Sequence, residues 1–325
     1  MPCDIIAVDY KNGVNVTSDK LNPEFHRGRA QTAERRTNCM KYGKIALLVA
    51  ACTMLTTVLS PVAALAEFDQ PYISIGADLT SEQADKMIRI LEVPEDKINE
   101  DTMISLTTDE ESRYLGDAAD PGSGAVTACK VVRLKRGSGV RVSTHNIMYV
   151  TSEMFENALV TCGLHDVDVM AASPVPVPGT AALVSTAAAW SKMNGHALDP
   201  QIINLAAREL NVSSAIAMTT GNPEKTAQLV AAVKQIVLMN GTTDPEAILT
   251  AVLEVAEQIG LALSEEEAEE LAGIMTGLEE LRLDARLVID QVQGIFEKAK
   301  KSGLDLQAFG IAERGIARFL QAIYK

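Results

Sequence analysis

The sequence predicts an α+β protein, and three observations carry that expectation. Residues 72–172 alternate short β-rich runs with capped helices, residues 179–325 follow an almost wholly helical pattern, and a proline-dense stretch separates the two. The expected architecture is a small mixed β-sheet with covering helices. It is followed by an all-helical C-terminal domain with a long helical hairpin.

Taken in order, Tyr72 to Ile75 reads as a strand, and Thr80-Ser81-Glu82-Gln83 is a capping box that opens a helix through Leu91. Thr102 to Leu106 reads as a second strand, after which Thr108 is expected to cap a helix that stops at Gly116. Val126 to Leu134 and Val140 to Val150 form the longest β signal. With Arg136-Gly137-Ser138-Gly139 as the turn, they are expected to pair as a hairpin. A Thr151-capped helix and a short strand, Val167 to Met170, complete the order β-α-β-α-β-β-α-β, with helices on one face of the sheet. Pro174, Pro176 and Pro178 lack the amide proton that helix and central strand both use, so the boundary between domains 67–178 and 179–325 is placed there.

In the helical part, Asp199-Pro200, Asn222-Pro223 and Asp244-Pro245 each set a capping side chain before a proline suited to the first helical position. Ser264 to Glu267 adds a capping box. Leu271, Ile274, Leu278, Leu281, Ala285, Val288, Val292, Ile295 and Ala299 then alternate three and four apart, which predicts one long helix with a narrow apolar seam. Beyond Gly303, the apolar residues from Leu304 to Tyr324 are expected to fold back antiparallel; the alternative is a homodimer through the 264–302 helix.

The N-terminus reads as export machinery. Met40 to Lys44 is a short basic segment, Ile45 to Leu59 an apolar run too short for a membrane span, and Ala64-Leu65-Ala66 a small–any–small cleavage pattern. Residues 40–66 are therefore expected to be a signal peptide cleaved between Ala66 and Glu67. Residues 1–39 are expected to be a misassigned or disordered extension, with Met40 the true start. The expected location is secreted or extracytoplasmic, with no membrane span in the mature chain. From Glu67 on the chain carries 21 basic and 38 acidic residues, a net charge near −17 that repels nucleic acid and anionic lipid.

Chemistry is sparsely marked. Cys129, Thr144, His145, Asn146, Cys162 and His165 form the best cluster that the expected hairpin can assemble. An even-sum register of that hairpin puts Cys129 and His145 on one face, where an imidazole could lower a thiol pKa. His145 with Cys129 or Cys162 is thus the catalytic candidate set, and Thr144, His145 and Asn146 are the ligand-binding candidates. A zinc site from Cys129, His145, Cys162 and His165 is disfavoured, because only Cys162 and His165 are closely spaced. No metal and no cofactor are expected. Gly273 and Gly277 read as close helix packing.

Three stretches together resemble the YpuA-like family of secreted bacterial proteins, a domain of unknown function. They are Ser74-Ile75-Gly76-Ala77-Asp78-Leu79-Thr80, then Thr107 to Gly116, and Thr144-His145-Asn146-Ile147 running on to Pro178-Gly179-Thr180-Ala181-Ala182-Leu183. The chain departs from the pattern at Pro174 to Pro178 and at Cys162. The resemblance implies export and lends no activity, cofactor or catalytic residue. The resulting expectation is an exported, non-catalytic envelope or extracellular binding protein whose partner is a protein or an envelope component. The alternatives are a thiol- or His-dependent extracytoplasmic enzyme and a structural oligomer.

Overall fold

The computed structural model describes residues 69–116, 124–281, 284–301 and 303–305, together with two short strands, Val8–Asp9 (β1) and Val14–Asn15 (β2), that pair antiparallel. The expected signal at 40–66 and the fold-back beyond Asp305 lie outside the described residues. Contacts divide the chain into two compact units, and Glu67–Lys325 belongs to one of them.

Five strands of that unit form one mixed sheet. They are β3 (Pro71–Gly76), β4 (Met103–Leu106), β5 (Ala128–Arg133), β6 (Val140–Met148) and β7 (Val167–Pro178), in the order β4-β3-β5-β7-β6. β3 and β4 are parallel, as are β6 and β7, whereas β5 runs antiparallel to β3 and to β7. The α+β class and the element order follow the sequence reading; the pairing does not. β5 and β6 form no hairpin, because β7 lies between them.

The reason sits at Asp166. Its carboxylate Oδ1 accepts the backbone amides of Ser138 (2.9 Å) and Gly139 (3.2 Å), while Leu134 N–H bonds Asp166 O and Val167 N–H bonds Gly139 O. The loop from β5 to β6 is therefore held as an arch over the start of β7, with Gly137 and Gly139 at φ +80 and +74 to make its turns. The proline-rich stretch is also strand. β5 pairs β7 only as far as Ala172, so Pro174, Pro176 and Pro178 fall where one neighbour has already ended and a missing amide costs little.

The helices that cover the sheet start at side-chain caps. α1 (Ser81–Ile90) has the Thr80–Gln83 capping box. In α2 (Thr108–Leu115) the cap is Thr107 with Glu110, one residue earlier than expected, because Thr108 bonds Asp78 instead. α3 (Ser152–Thr161) is capped by Thr151. α4 (Gly179–Asn194) follows β7 directly and packs across β3, β4, β5 and β7, so sheet and helices share the largest core cluster on both sides of Pro178. α3 packs on β6 over the same face. α1 covers the opposite face beside β5 and β7, a second covered face that the sequence reading missed.

The remaining helices start where the sequence placed them. α5 (Pro200–Thr220), α6 (Pro223–Asn240) and α7 (Pro245–Ile259) carry Asp199, Asn222 and Asp244 as caps, each accepting an amide of the first turn. The long helix is a correction. It is two helices, α8 (Glu265–Glu280) and α9 (Ala285–Lys301), because Asp284 accepts the amides of Arg286 and Leu287 and starts a new helix. Most of the seam is nonetheless buried, and inside the chain. α8 packs on α5 and α7, and α9 on α3 and α6, with Leu271, Ile274, Leu278, Val292 and Ala299 inaccessible to solvent. Gly277 permits that approach, since a Cβ there would stand 2.8 Å from Leu205 Cδ1.

One interaction at the centre of this bundle is ionic. Lys234 of α6 and Glu209 of α5 are both fully buried and pair at 2.7 Å. Lys234 Nζ also donates to Asn157 O (2.6 Å), and Thr161 Oγ1 donates to Glu209 Oε2 (2.7 Å), so α3, α5 and α6 meet on one pair. Burial lowers the Lys234 pKa and the Glu209 carboxylate opposes that shift. Removing one partner strands the other in an apolar interior. Lys234→Met should lose about 3–5 kcal/mol by denaturant midpoint, and Lys234→Met/Glu209→Leu should recover a substantial part of it. A single variant costing under ~1 kcal/mol would show that the pair does not organise the bundle.

Candidate functional site

The six predicted site residues do not come together. In the observed register Cys129 and Thr144 both pair with Ala171, whereas His145 pairs with Ala172, so Cys129 and His145 lie on opposite faces of the sheet with β7 between their strands. Cys129 faces α4, is fully buried and lies 3.1 Å from Thr186 Oγ1; burial pushes its thiol up to about 12. Cys162 ends α3, also buried, and its thiol is raised by desolvation and then by the Glu209 charge. Both cysteines are free thiols in settings that disfavour the thiolate. His165 stands apart from His145, edge-on to Trp190 with ring centroids 5.3 Å apart and Nδ1 at 3.5 Å from Asp166 Oδ2. The Cys–His pairing and the four-residue zinc set therefore have no common centre.

His145 and Asn146 are the predicted site residues that the fold leaves exposed. Arg141, Ser143 and His145 alternate on the face of β6 that α3 does not cover, and all three are exposed. Immediately after them the register breaks. Asn146 alone on β6 spans residues 173–176 of β7, and its Nδ2 donates to Ser173 O at 3.0 Å. Asn146 has φ +58, a conformation asparagine tolerates, and Tyr149 has φ +66 and is 55% exposed. Val175 projects from the bulged segment of β7, 47% exposed. On α3, which packs on β6, the Glu156 carboxyl is raised to about 7 by burial and then by the charge of Glu153. Sequence reasoning missed Glu156, because nothing local marks which strand edge a helix will lie along. Two clefts, of about 250 and 200 Å3, lie elsewhere, between α6 and α7 and between α5 and α8, and neither includes a predicted site residue.

The profile of a family described as a protein of unknown function (DUF1002) matches residues 75–295, which takes in the sheet, its helices and most of the bundle. The chain belongs to this family. It is 30% identical over 258 residues to the uncharacterized protein YpuA of Bacillus subtilis (strain 168), covering 78% of this chain and 87% of that relative. No solved structure matches. The matched span contains both thiols, His145 and the β6–β7 bulge, so each belongs to the family domain itself.

Two outcomes follow from this geometry. Treating the folded protein with iodoacetamide near neutral pH should leave Cys129 and Cys162 unmodified by peptide mass, and unfolding should expose both; labelling of either in the native state would contradict their burial. His145 makes no side-chain hydrogen bond among the described residues, so His145→Ala should change stability by less than about 0.5 kcal/mol. Asn146→Ala, which deletes the bond to Ser173 in a left-handed backbone, should cost about 1–2 kcal/mol in the same denaturant series.

Proposed function

We propose that the protein is exported and acts outside the cytoplasm as a non-catalytic binding protein, its partner a component of the cell envelope. Export rests on the basic, apolar and small–any–small order of residues 40–66. The non-catalytic reading is carried by one observation: His145 and the two thiols are set apart by the sheet itself. A thiol mechanism needs an imidazole within hydrogen-bond reach of sulfur, and rotating side chains cannot move His145 through β7. What the fold does offer is a row of polar side chains, Arg141, Ser143 and His145, on a hydrogen-bonded strand. Such a strand holds contact groups in place without ordering a loop.

Expression of the full chain in a bacterial host, followed by fractionation, tests the reading. The chain should appear outside the cytoplasm with Glu67 at its N-terminus by mass. That material should cosediment with isolated envelopes, and Arg141→Glu/His145→Ala should lower the bound fraction several-fold. A chain retaining Ile45 to Leu59, or one found in the cytoplasm, overturns export. Equal retention of parent and variant, or no retention, overturns the placement of the contacts on β6.

A further inference from the structure

Charge is spread unevenly along this acidic chain, and the sheet gathers the exception. From Pro121 to Ser152 there is no Asp or Glu, whereas Lys130, Arg133, Lys135, Arg136 and Arg141 all fall inside that stretch. It comprises β5, β6 and the arch between them. Arg133 is engaged on the α4 side, where it stands over the Trp190 ring and donates from Nη2 to Asn194 Oδ1 at 2.7 Å.

The other cations belong to the opposite face or to the arch at its end. Side chains alternate along a strand, so the register sets two rows across β5, β7 and β6 on that face. Lys130, Met170 and Ser143 form one row, and Val132, Asp168 and Arg141 the next. His145 follows Ser143 along β6. α1 packs over Ala128 and Ala172, while Arg141, Ser143 and His145 stay exposed, as do Lys135 and Arg136 on the arch. Among the described residues Lys130, Lys135 and Arg141 form no ion pair. Asp168 is the one carboxylate in the two rows.

Spacing indicates what such a face can hold. Arg141 and His145 are about 13 Å apart along β6, and Lys130 lies two strand spacings, about 10 Å, from Ser143. Cations set this far apart on an open face cannot close round one small anion, but each can meet a different group of an extended chain. Charges beyond about 8 Å are largely screened at physiological salt, so contact here follows the local cations more than the net charge of the chain.

We propose, on the reading of β6 as the contact strand of an exported binding protein, that this face holds a linear polymer with phosphate groups along its backbone. The polymer runs along β6 from the arch to His145, and Lys130 reaches it from the side. Arginine forks and lysine point charges are the groups that meet phosphate. The two rows carry no Phe, Tyr or Trp on which bases could stack, which favours a polymer without bases over single-stranded nucleic acid. An anionic bilayer would extend past this face to the acidic remainder of the chain, which repels it.

The test titrates the full chain into end-labelled long-chain polyphosphate, followed by fluorescence anisotropy at several salt concentrations. Binding should weaken as salt rises, and orthophosphate at equal phosphate should compete poorly. Arg141→Gln and Lys130→Gln should each weaken binding ~3-fold or more, with a shallower salt dependence. Arg208→Gln removes an exposed cation on α5, changes the net charge equally and should bind as the parent. Asp168→Asn should bind more tightly, a gain that no loss of fold can imitate. Failure to bind polyphosphate overturns the proposal, as do equal losses from Arg208→Gln and Arg141→Gln. If envelopes still retain the parent and release Arg141→Glu/His145→Ala, the class of polymer has failed and the contact strand stands. Tighter binding of oligothymidylate at equal phosphate, or retention on phosphatidylglycerol vesicles without binding to polyphosphate, gives the face to nucleic acid or to lipid and overturns the proposal too.

Discussion

Strand β7 bonds on both sides for the first half of its length and on one side thereafter, and much of the sheet's layout follows from that. As far as Ala172 it is a central strand, with Val167, Val169 and Ala171 packed toward α3 and α4 and Ala172 toward the α1 side. Beyond Ala172 only β6 remains, and the prolines, the bulge and the exposed Val175 all fall in that half. The same insertion makes β6 an edge strand. The bulge at Asn146 interrupts its ladder, which discourages the regular pairing that an open edge invites.

Asp166 makes the insertion possible, and its own backbone carries the strain of doing so. Its φ is +50, its carboxylate holds the arch above β7, and its amide donates to Gln291 Oε1 of α9 at 3.1 Å. The loop, the sheet and a C-terminal helix are thereby joined at one buried residue. The bundle has a matching centre in Lys234 and Glu209. A buried ion pair contributes little net stability over an apolar pair of the same volume, yet it penalises every packing of α3, α5 and α6 that separates the charges. Selecting one arrangement is the role that suits it in a core built from Ala, Val, Leu and Ile, which offer few shape cues.

The candidate chemistry was legible as residues and illegible as places. His145 and Asn146 were marked by residue type within a strand expected to run unbroken to Val150, and the bulge at Asn146 was not foreseen. The grouping of His145 with Cys129 depended on a hairpin, and the loop between β5 and β6 is short enough for one. Nothing in residues 134–139 reveals that Asp166, 27 positions beyond Gly139, will claim their amides. Glu111 was hidden differently. It ends a run, Thr108 to Glu111, that reads as the helix cap, whereas Thr107 and Glu110 form the cap and Glu111 is buried.

The sequence by itself determined what is local: where helices start, through Thr80, Thr151, Asp199, Asn222, Asp244 and Ser264, and which residues carry the apolar periods. Those features depend on side chains within about four residues of the backbone groups they satisfy, so they are written in short windows. Tertiary structure alone decided strand order, the split at Asp284, and which side chains share a face or lose contact with water. Backbone amides and carbonyls are chemically alike at nearly every position, so a strand accepts any partner that packing brings beside it. That choice turns on contacts between residues far apart in the chain, such as Asp166 with the 138–139 amides and Glu209 with Lys234.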